Sequence, residues 1–344
     1  MKLSFVLLII LLLCSCGGQN RQRNDVIGAS PSPTITRAAV TLLPISSGTP
    51  PAMATEPATA SPIPTSTIPA VTSTPSATSK PPATATAMPR PVSFAVIGDY
   101  GTMGVGTQEV AALVDGWNPD LVLTLGDNNY PDGAAGTIPG NITQHYGRFI
   151  DEKRFFPTLG NHDMTTDSGR PYFAYFELPG NERYYEFEQG DMHFFALNSD
   201  WREADGIGAG SRQAAWLQER LAASDSPWQI VYFHAPPYVS MKDKEVAAMR
   251  WPFAEWGADL VLSGHAHLYE RLQVGGIPYV VNGLGGGGIY AFDEEALPGS
   301  LVRFNDDYGA LLVEGTAARL SGQFVTRGGL VVDSFVVEEA DIQR

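Results

Sequence analysis

Ser93-Phe94-Ala95-Val96-Ile97-Gly98-Asp99 and Asp120-Leu121-Val122-Leu123-Thr124-Leu125-Gly126-Asp127 share one form: an apolar run, then Gly, then Asp. A continuous apolar run of this length reads as a strand buried on both faces. The Gly lets backbone crowd the strand end and take dihedrals that side chains resist. The pattern recurs. Phe155 to Leu159 predicts a short strand followed by Gly160-Asn161-His162-Asp163. Trp228 to Phe233 predicts a strand followed by His234, and Ala258 to Leu262 one followed by Ser263-Gly264-His265-Ala266-His267. Five predicted strands thus each deliver a polar group just beyond their C-terminal ends. In open α/β sheets that edge is where ligands bind.

Working outward, the spacing of Val110, Leu113, Val114 and Trp117 predicts a helix over Thr107 to Trp117. Ser211 to Ala223 and Lys244 to Trp256 also have helical spacing. Arg183 to Phe187 and Met192 to Leu197, joined at Gln189-Gly190-Asp191, predict a hairpin. Ile277 to Val281 predicts a further strand. After about residue 308 the helices stop. Ala310 to Glu314, Ala318 to Leu320, Gln323 to Thr326 and Leu330 to Val337 read as an antiparallel meander. Strand-helix units followed by strands give an α/β domain with mixed sheets.

The composition is uneven along the chain. Residues 17–90 are dominated by Pro, Thr, Ser and Ala, without a periodic apolar pattern. Such a stretch cannot bury enough apolar surface to offset chain entropy, and its repeated Pro favours an extended tether. Residues 1–16 have the form of an export signal: Met1-Lys2, an apolar stretch from Phe5 to Leu13, then Cys14-Ser15-Cys16. The stretch is too short for a permanent membrane span. Its ending resembles a bacterial lipobox. That implies cleavage before Cys16, lipidation of Cys16 and anchoring at the outer face of the cell membrane. An ordinary signal cleaved nearby would give a freely secreted protein instead. Residues 91–344 are then the folded domain. Cys14 and Cys16 are the only cysteines, so this domain has no thiolate metal site.

The formal net charge is −15, and the first 90 residues hold six basic and two acidic groups, which leaves −19 on the remainder. An acidic body argues against nucleic acid as a partner. It leaves small phosphate esters open, because bound cations reverse the local field. The residues at the strand ends fit that chemistry. Carboxylate, phenol, amide oxygen and imidazole are O/N ligands for hard or borderline metals. Two cations about 3.5–4 Å apart need a bridging group, and one Asp carboxylate can bind both.

Together, Gly98-Asp99-Tyr100-Gly101, Gly126-Asp127-Asn128-Asn129-Tyr130, Gly160-Asn161-His162-Asp163, Val231-Tyr232-Phe233-His234 and Gly264-His265-Ala266-His267 resemble the calcineurin-like metallophosphoesterases. Gly101 stands where most members have His, and Tyr130 follows the second Asp. That exchange resembles the purple acid phosphatase branch, as does Tyr269-Glu270-Arg271. The resemblance covers roughly residues 92 to 340 and implies two mixed β-sheets packed as a sandwich between helices, α/β/β/α. It implies Asp99, Tyr130 and His267 on one metal, Fe(III) in the family. Asn161, His234 and His265 would hold a second, divalent metal (Fe, Zn or Mn), with Asp127 bridging. The implied activity is hydrolysis of phosphate monoesters, a metal-generated hydroxide attacking phosphorus in line. His162, next to Asn161, would donate a proton to the leaving oxygen or hydrogen-bond it, with Asp163 orienting it or merely capping the turn.

One departure stands out. The family carries further His in the loop after the Val-x-x-His ligand, where they contact the substrate phosphate. Here that loop has none, and Tyr238, Lys242 and Lys244, with Asn161, are the candidate substrate contacts. Of the remaining histidines, His193 reads as structural. His145, in the long loop before Tyr146, reads as surface or cleft lining. The Gly285 to Gly288 run reads as a flexible loop or a phosphate cradle. Competing readings are a phosphodiesterase or nucleotide hydrolase with the same site, and a non-catalytic surface binding protein. No obligate protein partner is expected.

Overall fold

The computed structural model describes residues 91–338. The export-type segment with Cys16 and the tether up to residue 90 lie outside the described residues, as do residues 339–344. Among the described residues no helix is long and apolar enough to cross a membrane.

Two mixed sheets lie face to face, their strands numbered in chain order. In the first, β1 (Val92–Ile97), β2 (Leu121–Thr124) and β3 (Phe155–Pro157) run parallel. The meander β11 (Gly309–Thr316), β12 (Arg319–Thr326) and β13 (Val331–Glu338) extends it antiparallel from the other side of β1. The second sheet holds β4 (Tyr185–Gln189), β5 (Met192–Ala196), β6 (Trp228–Tyr232), β7 (Leu260–Ser263), β8 (Tyr269–Val274), β9 (Ile277–Asn282) and β10 (Ser300–Phe304). Its order is β10-β8-β9-β7-β6-β5-β4, with β5, β6, β7 and β9 parallel.

Strand alternation explains the layering. Phe94 and Val96 point between the sheets, while Ala95 and Ile97 pack with Val110 and Val114 of α1 (Val105–Trp117). Two shorter helices, α2 (Gln144–Asp151) and α3 (Arg170–Tyr175), add Tyr146, Phe149 and Tyr172 to that outer layer. In β6, Ile230 and Tyr232 point inward. Val231 points outward to the layer built by α4 (Arg212–Ala222) and α5 (Phe253–Trp256). Each fully buried aliphatic or aromatic side chain contributes roughly 1.5–3 kcal/mol. The result is the expected α/β/β/α sandwich. Register brings the strand ends level within each sheet: Ile97 pairs with Thr124 and Tyr232 with Leu262, so the polar residues beyond them emerge together at each sheet's C-terminal edge.

The sequence reading needs correction in three places. The helix expected over Lys244 to Trp256 is a 3-10 turn at Ala247–Met249 and the four-residue α5. Pro252 has no N–H to continue a helix and disfavours helical backbone at Trp251. The segment before Tyr146 is not all loop, since His145 lies in α2. Strands β8 and β10 were not anticipated. Tyr269 and Glu270 look in sequence like a continuation of the His265 loop, but Tyr269 to Val274 all pair with β9.

Strand β8 also ties the sheets together. The Tyr269 hydroxyl donates to Asp333 of β13 at 2.8 Å, and Arg271 donates to the same carboxylate at 2.6 and 3.0 Å. Asp333 is buried. Removing it strands a guanidinium and a phenol between the sheets. Asp333→Ala is expected to lower unfolding free energy by about 3 kcal/mol in urea titrations. A loss under about 1 kcal/mol would show that the tie contributes little to holding the sheets together.

Candidate metal centre

Asp99 follows β1 and is fully buried, with φ at 55°. Asp127 follows β2 with φ at 51°, and His265 follows β7 with φ at 65°. Left-handed backbone at a non-Gly residue costs of order 1 kcal/mol and persists only where the surroundings enforce it. Three such residues, two after strands of the first sheet and one after a strand of the second, mark a site whose side-chain directions override local backbone preference. The glycines before them permit the crowding. A Cβ on Gly160 would sit 2.1 Å from the Asp127 nitrogen, and one on Gly126 would sit 2.7 Å from the His234 ring.

The seven strand-end residues expected as ligands converge on two neighbouring points. At the first, the Tyr130 hydroxyl lies 3.3 Å from Asp99 Oδ1, 3.1 Å from Asp127 Oδ2 and 3.1 Å from His267 Nε2. At the second, His234 Nε2 lies 3.1 Å from Asn161 Oδ1, 3.1 Å from His265 Nδ1 and 3.5 Å from Asp127 Oδ2. Asp127 Oδ2 belongs to both sets. The supports lie one bond further out. His265 N donates to Asp99 Oδ2 at 2.8 Å, and His162 N to Asp127 Oδ1 at 2.9 Å. His234 Nδ1 lies 2.7 Å from the Leu125 carbonyl, which can only accept, so Nε2 is left to face the second point.

The electrostatics show what these sets lack. At the first point, two carboxylate oxygens face a single phenol proton. Burial works to raise the Asp99 pKa, yet His267 and then His234 outweigh it and hold it low. Burial opposes charge on His234, but Asp127 and Asp99 raise its pKa all the same. The pocket draws positive charge in. Burial and then the charge of His234 push His265 down to about 3, which leaves its imidazole neutral with a free lone pair. Burial, then Asp99 and Asp127, raise the Tyr130 phenol far above its ordinary range, so only a strong cation would make a phenolate there. Oxygen and imidazole donors converging with a carboxylate between them fit two cations. Asp127, His234 and His265 by themselves form a group able to hold one ion.

His162 sits beside this centre, 38% exposed, with Nε2 3.9 Å from Asp127 Oδ2. Its Nδ1 is against the Pro131 carbonyl and its ring leans on Tyr130 at 4.5 Å. Asp163 does not orient it. Asp163 Oδ2 accepts instead from Gly160 N, Asn128 N and Asn128 Nδ2 at 2.9, 3.1 and 2.9 Å, joining the β3 loop to the β2 loop. Burial, with the charge of Asp127, raises Asp163 to about 7.

The substrate-contact candidates separate. Tyr238 is half-buried, packing edge-on to Tyr279 at 5.4 Å beneath Arg250 against the outer core. Lys242 is exposed, and its ammonium makes no ion pair among the described residues. Lys244 stands beside Tyr290 at the rim. The glycine run is neither cradle nor free loop: Gly285 N donates to Gly98 O and Gly287 N to Asp99 O, so the run backs Asp99. His193 is structural as expected, against Ser224 and Glu186.

Two supporting residues escaped the sequence reading. Arg202 donates to the carbonyls of Asn161 and Met164, each at 2.9 Å, while Asp200 holds its guanidinium. Glu270, fully buried, accepts from Ser240 N, Ser240 Oγ and Ser300 Oγ at 2.6, 2.5 and 2.6 Å. It fixes the loop after His234. No local spacing marks Arg202, whose partners lie some forty residues away. Glu270 figured only as part of a resembling tripeptide.

Known proteins share the fold that carries these residues. The family model for Calcineurin-like phosphoesterase matches residues 92–269. The chain is 28% identical over 245 residues to Purple acid phosphatase 15 of Arabidopsis thaliana, covering 57% of this chain and 45% of the relative. It is 27% identical over 226 residues to a purple acid phosphatase of Glycine max, covering 56% and 47%. The chain thus spans about half the length of the curated relatives it matches. In fold it is similar to purple acid phosphatase PPD1 from yellow lupin (Lupinus luteus) seeds, with TM-score 0.62, 21% identity, and 73% and 55% coverage. It is also similar to GAP50, the anchor in the inner membrane complex of Plasmodium, with TM-score 0.60, 17% identity, and 74% and 90% coverage. With a model match over more than half of its length and the matching two-sheet fold, the chain belongs to the calcineurin-like phosphoesterase family.

Proposed function

We propose that this chain hydrolyses phosphate monoesters at a dinuclear metal centre. The observation that carries the reading is the sharing of Asp127 Oδ2 between two donor sets that draw on both sheets. Asp99, Tyr130 and His267 would hold one ion, and Asn161, His234 and His265 the other. The phenol favours a trivalent ion such as Fe(III) at the first position, beside divalent Fe, Zn or Mn. When bound, such ions acidify water and offset charge on phosphoryl oxygens. The chain's own part is to hold these donors dry and fixed. His162, with Nδ1 engaged by Pro131 and Nε2 toward the centre, would protonate the leaving oxygen. A phosphodiesterase or nucleotide hydrolase would use the same centre. A non-catalytic surface binding protein is disfavoured, since all seven donors are present and converged.

The amino-terminal reading is likewise a proposal: export, lipid on Cys16 and display at the outer face of the cell membrane on the 17–90 tether, against the alternative of free secretion.

Three outcomes are expected. The purified chain should show a visible phenolate-to-Fe(III) band that disappears in Tyr130→Phe. A colourless protein that still hydrolyses p-nitrophenyl phosphate would point to Zn or Mn, and a colourless, inactive, metal-free protein would end the reading. His162→Ala should lower kcat about 10²–10³-fold without changing metal content; an unchanged kcat would remove its role. Cys16→Ser should move the protein from the membrane fraction to the soluble one in a bacterial host, and a wild-type protein already soluble would favour free secretion.

A further inference from the structure

The loop after His234 lacks the histidines that a phosphate would meet, but the structure sets another group at that rim. Tyr290 lies flat on His267, with ring centroids 4.1 Å apart and planes 5° from parallel. Lys244 Nζ stands 5.2 Å from the centroid of the same Tyr290 ring. Lysine, tyrosine and histidine thus form a ladder ending at the first donor set.

The ladder is fixed by backbone. Tyr290 N donates to His267 O at 2.8 Å, and Tyr290 O accepts from Asn305 Nδ2 at 2.7 Å. Lys244 N donates to Met241 O at 2.9 Å. The two segments are fastened together by Lys242 N on Asp293 Oδ2 and Asp293 N on Ser240 O, at 2.9 and 3.0 Å. Ser240 in turn hangs on the buried Glu270.

The charge of Lys244 is otherwise unexplained. It makes no ion pair among the described residues, in a domain with a large excess of carboxylates. A lysine stem is flexible, and the face of a fixed aromatic ring restricts where its ammonium goes. An ammonium held beside a cation-binding centre without a carboxylate partner has the chemistry to receive an anionic oxygen.

We propose that Lys244 receives a non-bridging oxygen of the substrate phosphate, and that Tyr290 is the positioning residue that holds its ammonium over the centre. The proposal rests on the phosphoesterase reading and deepens it, because it supplies the phosphate contact that the histidine-free loop lacks.

The test uses the full chain loaded with metal. Inorganic phosphate binding is measured by calorimetry, KM and kcat with p-nitrophenyl phosphate, and metal content on the same samples. Lys244→Met should weaken phosphate binding and raise KM by roughly tenfold or more, with metal content unchanged. Lys244→Arg should restore part of the loss. Tyr290→Leu should reproduce the weakening, and Tyr290→Phe should recover most of it, because the ring face and not the hydroxyl carries the contact. Lys244→Met combined with Tyr290→Leu should be no worse than Lys244→Met alone. Phosphate affinity within about twofold of wild type in Lys244→Met would overturn the proposal, as would multiplying effects in the double variant. Metal loss in Tyr290→Leu would place Tyr290's effect on His267 and overturn its positioning role. A wild type that binds phosphate through Lys244 yet hydrolyses no ester would sink the phosphoesterase reading and leave this contact standing. A wild type that hydrolyses esters with Lys244→Met unchanged would do the reverse.

Discussion

Two buried carboxylates, Asp99 and Asp127, lie within reach of one phenol oxygen, and the rest of the domain is arranged around keeping them there. Like charges brought this close out of water repel and lose hydration. The structure offsets the cost with directed donors: His265 N to Asp99, His162 N to Asp127, and imidazoles whose charge holds Asp99 ionised. On their inward-facing side the two carboxylates share one phenol proton. That residual field makes the pocket a place for cations, and it follows from burial and geometry alone.

The scaffold beneath has one recurring device, a parallel strand that ends in a tight, backbone-crowded turn. Parallel pairing of β1 with β2, and of β6 with β7, sets these turns level. The two sheets contribute unequal chemistry. The first brings the carboxylates, Tyr130 and Asn161, while the second brings the three imidazoles. The centre therefore forms only where the sheets meet at their C-terminal edges. Strand β8 serves that meeting with alternate faces. Tyr269 and Arg271 reach Asp333 across the interior, and Glu270 between them reaches outward to hold the loop of Ser240. A single strand couples sheet-to-sheet alignment to the position of the site's rim.

Much of this was legible because it depends on period-2 burial and on residue type. The apolar runs before Asp99, Asp127, Asn161, His234 and His265 are long enough to define strands, and the polar groups after them stand out against that background. The Lys244 to Trp256 helix failed because its apolar spacing was real but Pro252 limited the backbone. Tyr238 shows a different limit: a phenol in a polar loop reads as a site group, and only the fold shows its ring against Tyr279. Asp163 was assigned by adjacency to His162, whereas its side chain answers to amides on a neighbouring loop.

The sequence by itself determined the strand ends, the donor types and the acidic, cysteine-free character of the domain. These are properties of a residue and its near neighbours, and chain periodicity carries them. Only the tertiary structure decided how closely Asp127 Oδ2 faces Tyr130 and His234, that Arg202 grips the Asn161 carbonyl, that Glu270 anchors a distant loop, and that Tyr290 lies on His267. Each of those depends on two segments brought together from tens to more than a hundred residues apart. Contact across such distances is fixed by the packing of the sheets, and no local pattern encodes it.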